Sequence, residues 1–204
     1  FRVDNFSVKG LRLSVSGYIG NSFSNSLRGA TSESNNSSSG NNRYQDVKGT
    51  VAIGAFDFAY NDHNWIVRGN FDYGHLSDAA MIFRFNSGMT STSPSPKQAI
   101  GSDAIAAGIE AGYNIFSQFD KLHEKGHKLY IFGRYDYYDS MYKTETNIQK
   151  YEWCGRQRIA AGLNYYPMKE IVIKGEYSIG VMRSFYKNEP SISLGVAYAG
   201  LFTR

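Results

Sequence analysis

Three features of the sequence point to an all-β protein, an antiparallel transmembrane β-barrel with about eight strands in this chain. From Ile192 the chain alternates, with Ile192, Leu194, Val196, Tyr198, Gly200 and Phe202 on one side and Ser193, Gly195, Ala197 and Ala199 between them. Such a period of two is a strand signature, and its length matches the ~9–11 residues a tilted strand needs to cross a bilayer. The same alternation recurs along the rest of the chain. The connections between these segments sort by length, long and short in turn, as in barrels whose turns face one compartment and whose loops face the other.

Taken in order, residues 1–6 read as the tail of an earlier strand, closed by the turn Ser7-Val8-Lys9-Gly10. Strand one spans 11–20, with Leu11, Leu13, Val15, Gly17 and Ile19 on one face and Arg12, Ser14, Ser16 and Tyr18 on the other. The tract 21–47 is rich in Ser and Asn and cannot bury a core, so it reads as a long solvated loop. Strand two, 49–60, presents Phe56, Phe58 and Tyr60 opposite Asp57, and Asn61-Asp62-His63-Asn64 turns the chain. Strand three, 65–75, sets Trp65, Val67, Phe71 and Tyr73 against Ile66, Arg68, Asn70 and Asp72. The connection 76–103 is the candidate infolded loop that supplies the constriction, and its apolar piece, 79–85, is expected to fold back as a helical turn or plug.

Strand four, 104–116, places Ala107, Ile109, Ala111, Tyr113 and Ile115 opposite Glu110 and Asn114. After a polar turn at 117–127, strand five, 128–138, sets Leu129, Ile131, Tyr135 and Tyr137 against Lys128, Arg134 and Asp136. A loop at 139–154 leads to strand six, 155–166, with Ile159, Ala161, Leu163 and Tyr165 against Arg156, Arg158 and Asn164. Pro167-Met168-Lys169-Glu170 turns into strand seven, 171–182, with Ile171, Ile173, Tyr177 and Ile179 against Lys174, Glu176 and Ser178. A loop at 184–190 enters strand eight, 192–202. Aromatics near strand ends suit the girdles at the two membrane interfaces.

Composition excludes several classes. No run approaches ~18 apolar residues, so no transmembrane helix is expected; alternating strands nonetheless give a soluble-looking mean hydropathy. One cysteine, Cys154, rules out an internal disulfide. The net charge of +4 is dispersed and forms no basic stripe with stacking aromatics, so no nucleic-acid partner is expected. The sequence opens Phe1-Arg2-Val3, without an initiator Met, and reads as a mature product or a fragment.

By parity, the inward positions carry Arg12, Arg68, Lys128, Arg134, Arg156, Arg158 and Lys174 against Asp57, Asp72, Glu110, Asp136 and Glu176. Read as lining, these make a mildly cationic, water-filled lumen, and rings of Arg or Lys are how anion pores select. The plainer alternative is that the charges pair with one another and only solvate the wall. A soluble barrel core would not tolerate so many ionised groups.

No catalytic constellation converges, and no cofactor or metal is expected. His123-Glu124-Lys125-Gly126-His127 matches the H-E-x-x-H pattern, but that chemistry needs both histidines on one face of a stable helix, which Gly126 interrupts. His75 and Ser77 lie at a loop edge with no evident acid partner, and Cys154 reads as a small apolar residue.

Four stretches resemble the phosphate-selective porin (porin O and P) family of Gram-negative outer membranes. They are Val8-Lys9-Gly10-Leu11, Gly162-Leu163-Asn164-Tyr165-Tyr166-Pro167, Lys174-Gly175-Glu176-Tyr177 and the closing aromatic strand, although Thr203-Arg204 departs from a terminal Phe. The resemblance implies a barrel of roughly sixteen strands, often trimeric, of which this chain would be the C-terminal half. It further implies passage of small anions or polar solutes such as phosphate, and surroundings of outer-membrane lipid and lipopolysaccharide. The first rival is a complete eight-stranded outer-membrane protein, plugged by Tyr18, Tyr130, Phe132 and Tyr166, that anchors or adheres and does not conduct. The second is a soluble ligand-binding barrel.

Overall fold

A computed structural model describes residues 1–21, 49–86, 99–146, 148–182 and 186–198. The sheet is entirely antiparallel and has nine strands where eight were expected: β1 (Arg2–Val8), β2 (Leu11–Asn21), β3 (Thr50–Asp62), β4 (Trp65–Leu76), β5 (Asp103–Asn114), β6 (Lys128–Lys143), β7 (Gly155–Met168), β8 (Ile171–Val181) and β9 (Glu189–Tyr198). The added strand is the first. The segment expected to be a strand tail pairs with β2 from Arg2↔Ser16 onward and is a full strand of the sheet. The Ser/Asn tract and positions 199–202 of the expected last strand lie outside the described residues.

Strand order follows chain order, and each strand pairs only with its sequence neighbours. Among the described residues β1 and β9 each have one partner, so the sheet does not close on itself. Eight reversals separate these two edge strands, and they therefore run in the same direction.

The register slips steadily. Leu11, the first residue of β2, stands in a row with Tyr60, Val67, Ala111, Gly133, Ala161 and Tyr177, the seventh residue of β8. Measured from the short-turn end, the slip is six residues over six strand-to-strand steps. One ~3.3 Å rise per ~4.8 Å strand spacing inclines the strands by about 35°, the tilt that closing a sheet into a barrel requires.

Local chemistry explains the connections. His63 and Asn64 both have positive φ (50° and 65°), the primed turn whose twist matches a two-residue hairpin. Asn114 ends β5 by accepting the Leu129 N–H on its side-chain oxygen at 3.0 Å, and a 3₁₀ turn, Ile115–Gln118, follows where the strand was expected to continue. The apolar piece of the β4–β5 connection is a helix, α1 (Ala79–Asn86). Its first backbone N–H groups, of Ala79 and Ala80, donate to the Glu145 carboxylate at 3.2 and 2.9 Å, where an anion is favoured.

That helix does not plug the sheet. Ala80 and Phe83 pack against a small core of Met141, Ile148 and Cys154 at the loop end of β6, which runs five residues past its expected end. None of the described residues of 76–103 lines the charged face. Among the described residues, no helix is long and apolar enough to cross a membrane.

Candidate functional site

The register sorts the side chains into two faces of opposite character. Arg12 faces Ala59, Ala59 faces Arg68, Arg68 faces Glu110, and Glu110 faces Arg134. Following the same alternation, Asp57, Asp72, Lys128, Asp136, Arg156, Arg158, Lys174 and Glu176 fall on that side too. All twelve charged residues singled out in the sequence therefore share one face of the sheet. Arg2 and Asp4 of β1 extend it.

The opposite face carries Val15, Phe56, Phe71, Ile109, Ile131, Ile159, Leu163, Ile173, Leu194 and Val196, all exposed. The usual order of a soluble protein is inverted: Ile109 is 52% exposed, while Ser14 and Ser178 on the charged face are at 1% and Ala160 at 3%. The charged face is covered because it curves. A trough of roughly 540 Å³ is lined by residues of β4, Ile66 and Arg68, and of every strand through Ser193 on β9. A second, of about 510 Å³, lies beside it between Arg12 and Arg134. Along β6 the covered side changes: Phe132 is buried on the charged face, whereas at the loop end Asp139 and Met141 are buried on the other, beneath α1 and the β6–β7 connection.

Ion pairs bind up much of the acid on the charged face. Arg12 donates to Asp57 at 2.8 Å, with Arg2 3.5 Å from the same carboxylate. Arg134 is shared among Glu176 (2.8 Å), Asp136 (3.1 Å) and Glu110 (3.8 Å). It reaches β8 by passing over Ala160 of β7, a residue too small to block the guanidinium. Arg68, Lys128, Arg158 and Lys174 have no ion-pair partner among the described residues. Arg156 turns away to the Trp153 carbonyl at 3.0 Å and lies 5.9 Å from its ring. Asp72 accepts from the Asn70 amide at 2.6 Å.

Aromatics complete the trough. Phe132 lies between glycines on both neighbouring strands, Gly112 and Gly162. A Cβ on Gly162 would overlap the Gly175 carbonyl oxygen of β8 and stand 2.7 Å from the Phe132 ring, so both the neighbouring strand and the ring require glycine there. Tyr130 and Tyr166 meet edge to face, 6.0 Å apart, beside it.

Other singled-out residues have different fates. His75 does have an acid partner: Asp103, opposite it in the register and 3.0 Å from Nδ1, which also accepts from Tyr73 and from Ser102 at 2.7 Å. The partner is 28 residues away in sequence and no local pattern announces it. Ser77 does not join it; its hydroxyl accepts the Thr50 N–H and donates to Asp78. In the H-E-x-x-H stretch the helix α2 (Asp120–Glu124) stops before Gly126, whose φ is +76°, and His127 stacks on Tyr165 with its Nδ1 3.0 Å from the tyrosine hydroxyl. Among the described residues no group of three or more His, Cys, Asp or Glu is placed to hold a metal ion.

Comparison with protein-family models, curated proteins and solved structures finds no match to this chain.

Proposed function

We propose that this chain is part of the wall of an outer-membrane porin of a Gram-negative bacterium, with its apolar face against lipid and lipopolysaccharide and its charged face along a water-filled path for small hydrophilic solutes, anions above all. The observation that carries the reading is the exposed apolar face backed by a concave charged one. An apolar side chain of the size of Ile or Leu gains about 1.5–3 kcal/mol on leaving water. A face with that many of them needs an apolar cover across all nine strands. Lipid covers such a face without a matching partner surface.

The register slip supports a barrel and not a flat layer, since strands inclined by about 35° are what closure needs. Nine strands leave β1 and β9 running the same way, so a barrel that is antiparallel throughout takes an odd number of further strands between them. A second copy in the same membrane orientation would bring parallel seams.

The lean toward anions rests on the balance of the face, seven cations to five carboxylates among the residues named above, and on where the cations sit. Pairing engages Asp57, Glu110, Asp136 and Glu176 and leaves Arg68, Lys128, Arg158 and Lys174 to meet a solute. Phosphate is one anion such a path would pass. Current through the protein in a planar bilayer under a salt gradient tests both parts. A reversal potential on the anion side is expected; no conductance ends the porin reading, and a cation-side potential ends the anion part.

A further inference from the structure

The two parts of the charged face differ in one respect that matters for binding. Toward β2 the polar groups are taken up by one another along the wall, Arg12 with Asp57 and Arg134 with Asp136, beside the second hollow. Toward β7 and β8 they are not. There Lys174, Asn164 and the hydroxyls of Tyr130 and Tyr166 line the cavity with no hydrogen-bond or ion-pair partner among the described residues. All four can donate. They surround the rings of Phe132, Tyr130 and Tyr166, and Glu110 and Glu176, each bound to Arg134 through one oxygen, keep acceptor capacity at the same site.

We infer that this half of the trough is a binding site for a phosphorylated monosaccharide, with the sugar ring against the aromatic wall and the phosphate held by Lys174, which stands in one row of the register with Asn164 and Tyr130. The inference rests on the reading of the charged face as a solute path and names the solute it retains. Each part of the ligand answers something on the wall. A pyranose offers C–H faces to the rings and hydroxyls to Asn164, the two tyrosines and the carboxylates. Inorganic phosphate would leave the aromatic side unused, and an aromatic acid would leave the hydroxyls and amide unmet, at the cost of unpaired polar groups. The volume, roughly 540 Å³, falls within the about 300–1,000 Å³ of small-ligand pockets. The trough lies on the face away from the apolar one, so the ligand is a free solute; the sugar phosphates of a lipid headgroup would meet the other side.

The test is interruption of single-channel current by glucose 6-phosphate, inorganic phosphate and glucose, on the full protein in a planar bilayer. Glucose 6-phosphate is expected to block at a concentration about tenfold below either of the others. Tyr166→Ala should raise that concentration severalfold and leave block by inorganic phosphate unchanged, whereas Lys174→Gln should weaken both phosphates and spare glucose. Equal block by the two phosphates, or no response to Tyr166→Ala, overturns the inference while an anion-side reversal potential keeps the porin reading intact. Titration calorimetry of glucose 6-phosphate against the detergent-solubilised protein gives a second readout that needs no open channel. Heat from glucose 6-phosphate that Tyr166→Ala abolishes sustains the site, and no heat overturns it.

Discussion

Arg134 on β6 donates to Glu176 on β8 at 2.8 Å, and Ala160 of the intervening strand lies beneath the bridge. A contact that skips a strand spans about 10 Å of sheet. It forms only because the face is concave and the intervening side chain is a methyl. With Glu110 and Asp136 on the same guanidinium, one cation holds three strands at a fixed curvature.

Arg134→Ala should therefore cost stability and change selectivity together. Three carboxylates lose their common partner while staying half-buried, a loss of about 1–3 kcal/mol. The midpoint of urea unfolding in detergent should fall, and the reversal potential should move toward cations. An unchanged midpoint would mean that the bridge holds nothing.

Arg68 and Lys174 are expected to matter for anions in a different way, because no carboxylate engages them among the described residues. The double change Arg68→Gln with Lys174→Gln should lower anion preference, with the unfolding midpoint within about 0.5 kcal/mol of the parent. Reversal potentials and urea titrations on the same preparation separate this outcome from the Arg134 one.

The two faces predict opposite surroundings for spin labels. Labels at Ile109, Ile131 and Ile173 should be relaxed by oxygen, which concentrates in hydrocarbon, and labels at Glu110 and Asn164 by a water-soluble nickel chelate. Reversal of the two sets would be fatal to the membrane reading.

Gly162→Leu should press on the Gly175 carbonyl of β8 and drive Phe132 out of its place, since even the Cβ would meet the first and stand 2.7 Å from the ring. Overpacking of this kind costs about 1–3 kcal/mol. Adding Phe132→Ala should recover part of the loss, and a double-mutant cycle on unfolding midpoints would show the coupling. Independent effects at the two sites would contradict the flat placement of the ring.

Glu145→Gln should loosen the start of α1 without touching the sheet. The carboxylate accepts two backbone N–H groups at the helix N-terminus, and loss of its charge there is worth about 0.3–1 kcal/mol. Faster hydrogen exchange at Ala79 and Ala80, with unchanged exchange in β5 and β6, is the expected result.

The strands and their two faces are legible in the order of the residues alone. Alternation is a local property: successive residues of an extended chain point to opposite sides whatever they pair with. Leu129, Ile131 and Tyr135 against Arg134 and Asp136 thus disclose a face before any partner is known. Which charges pair emerges only when the folded sheet brings distant strands together. Arg134 meets Glu176 across 42 residues and His75 meets Asp103 across 28, distances at which no local pattern carries information. The same assembly makes residues 2–8 a strand of the sheet, because β2 offered a free edge in register with them. The extension of β6 beyond Tyr138 was hidden for a related reason. Its covered side changes there, from the charged trough to the packing beneath α1, so the alternation that marks the rest of the strand no longer reports one face. Backbone geometry writes the period into the sequence; curvature and register, which arise only when nine strands assemble, choose the partners.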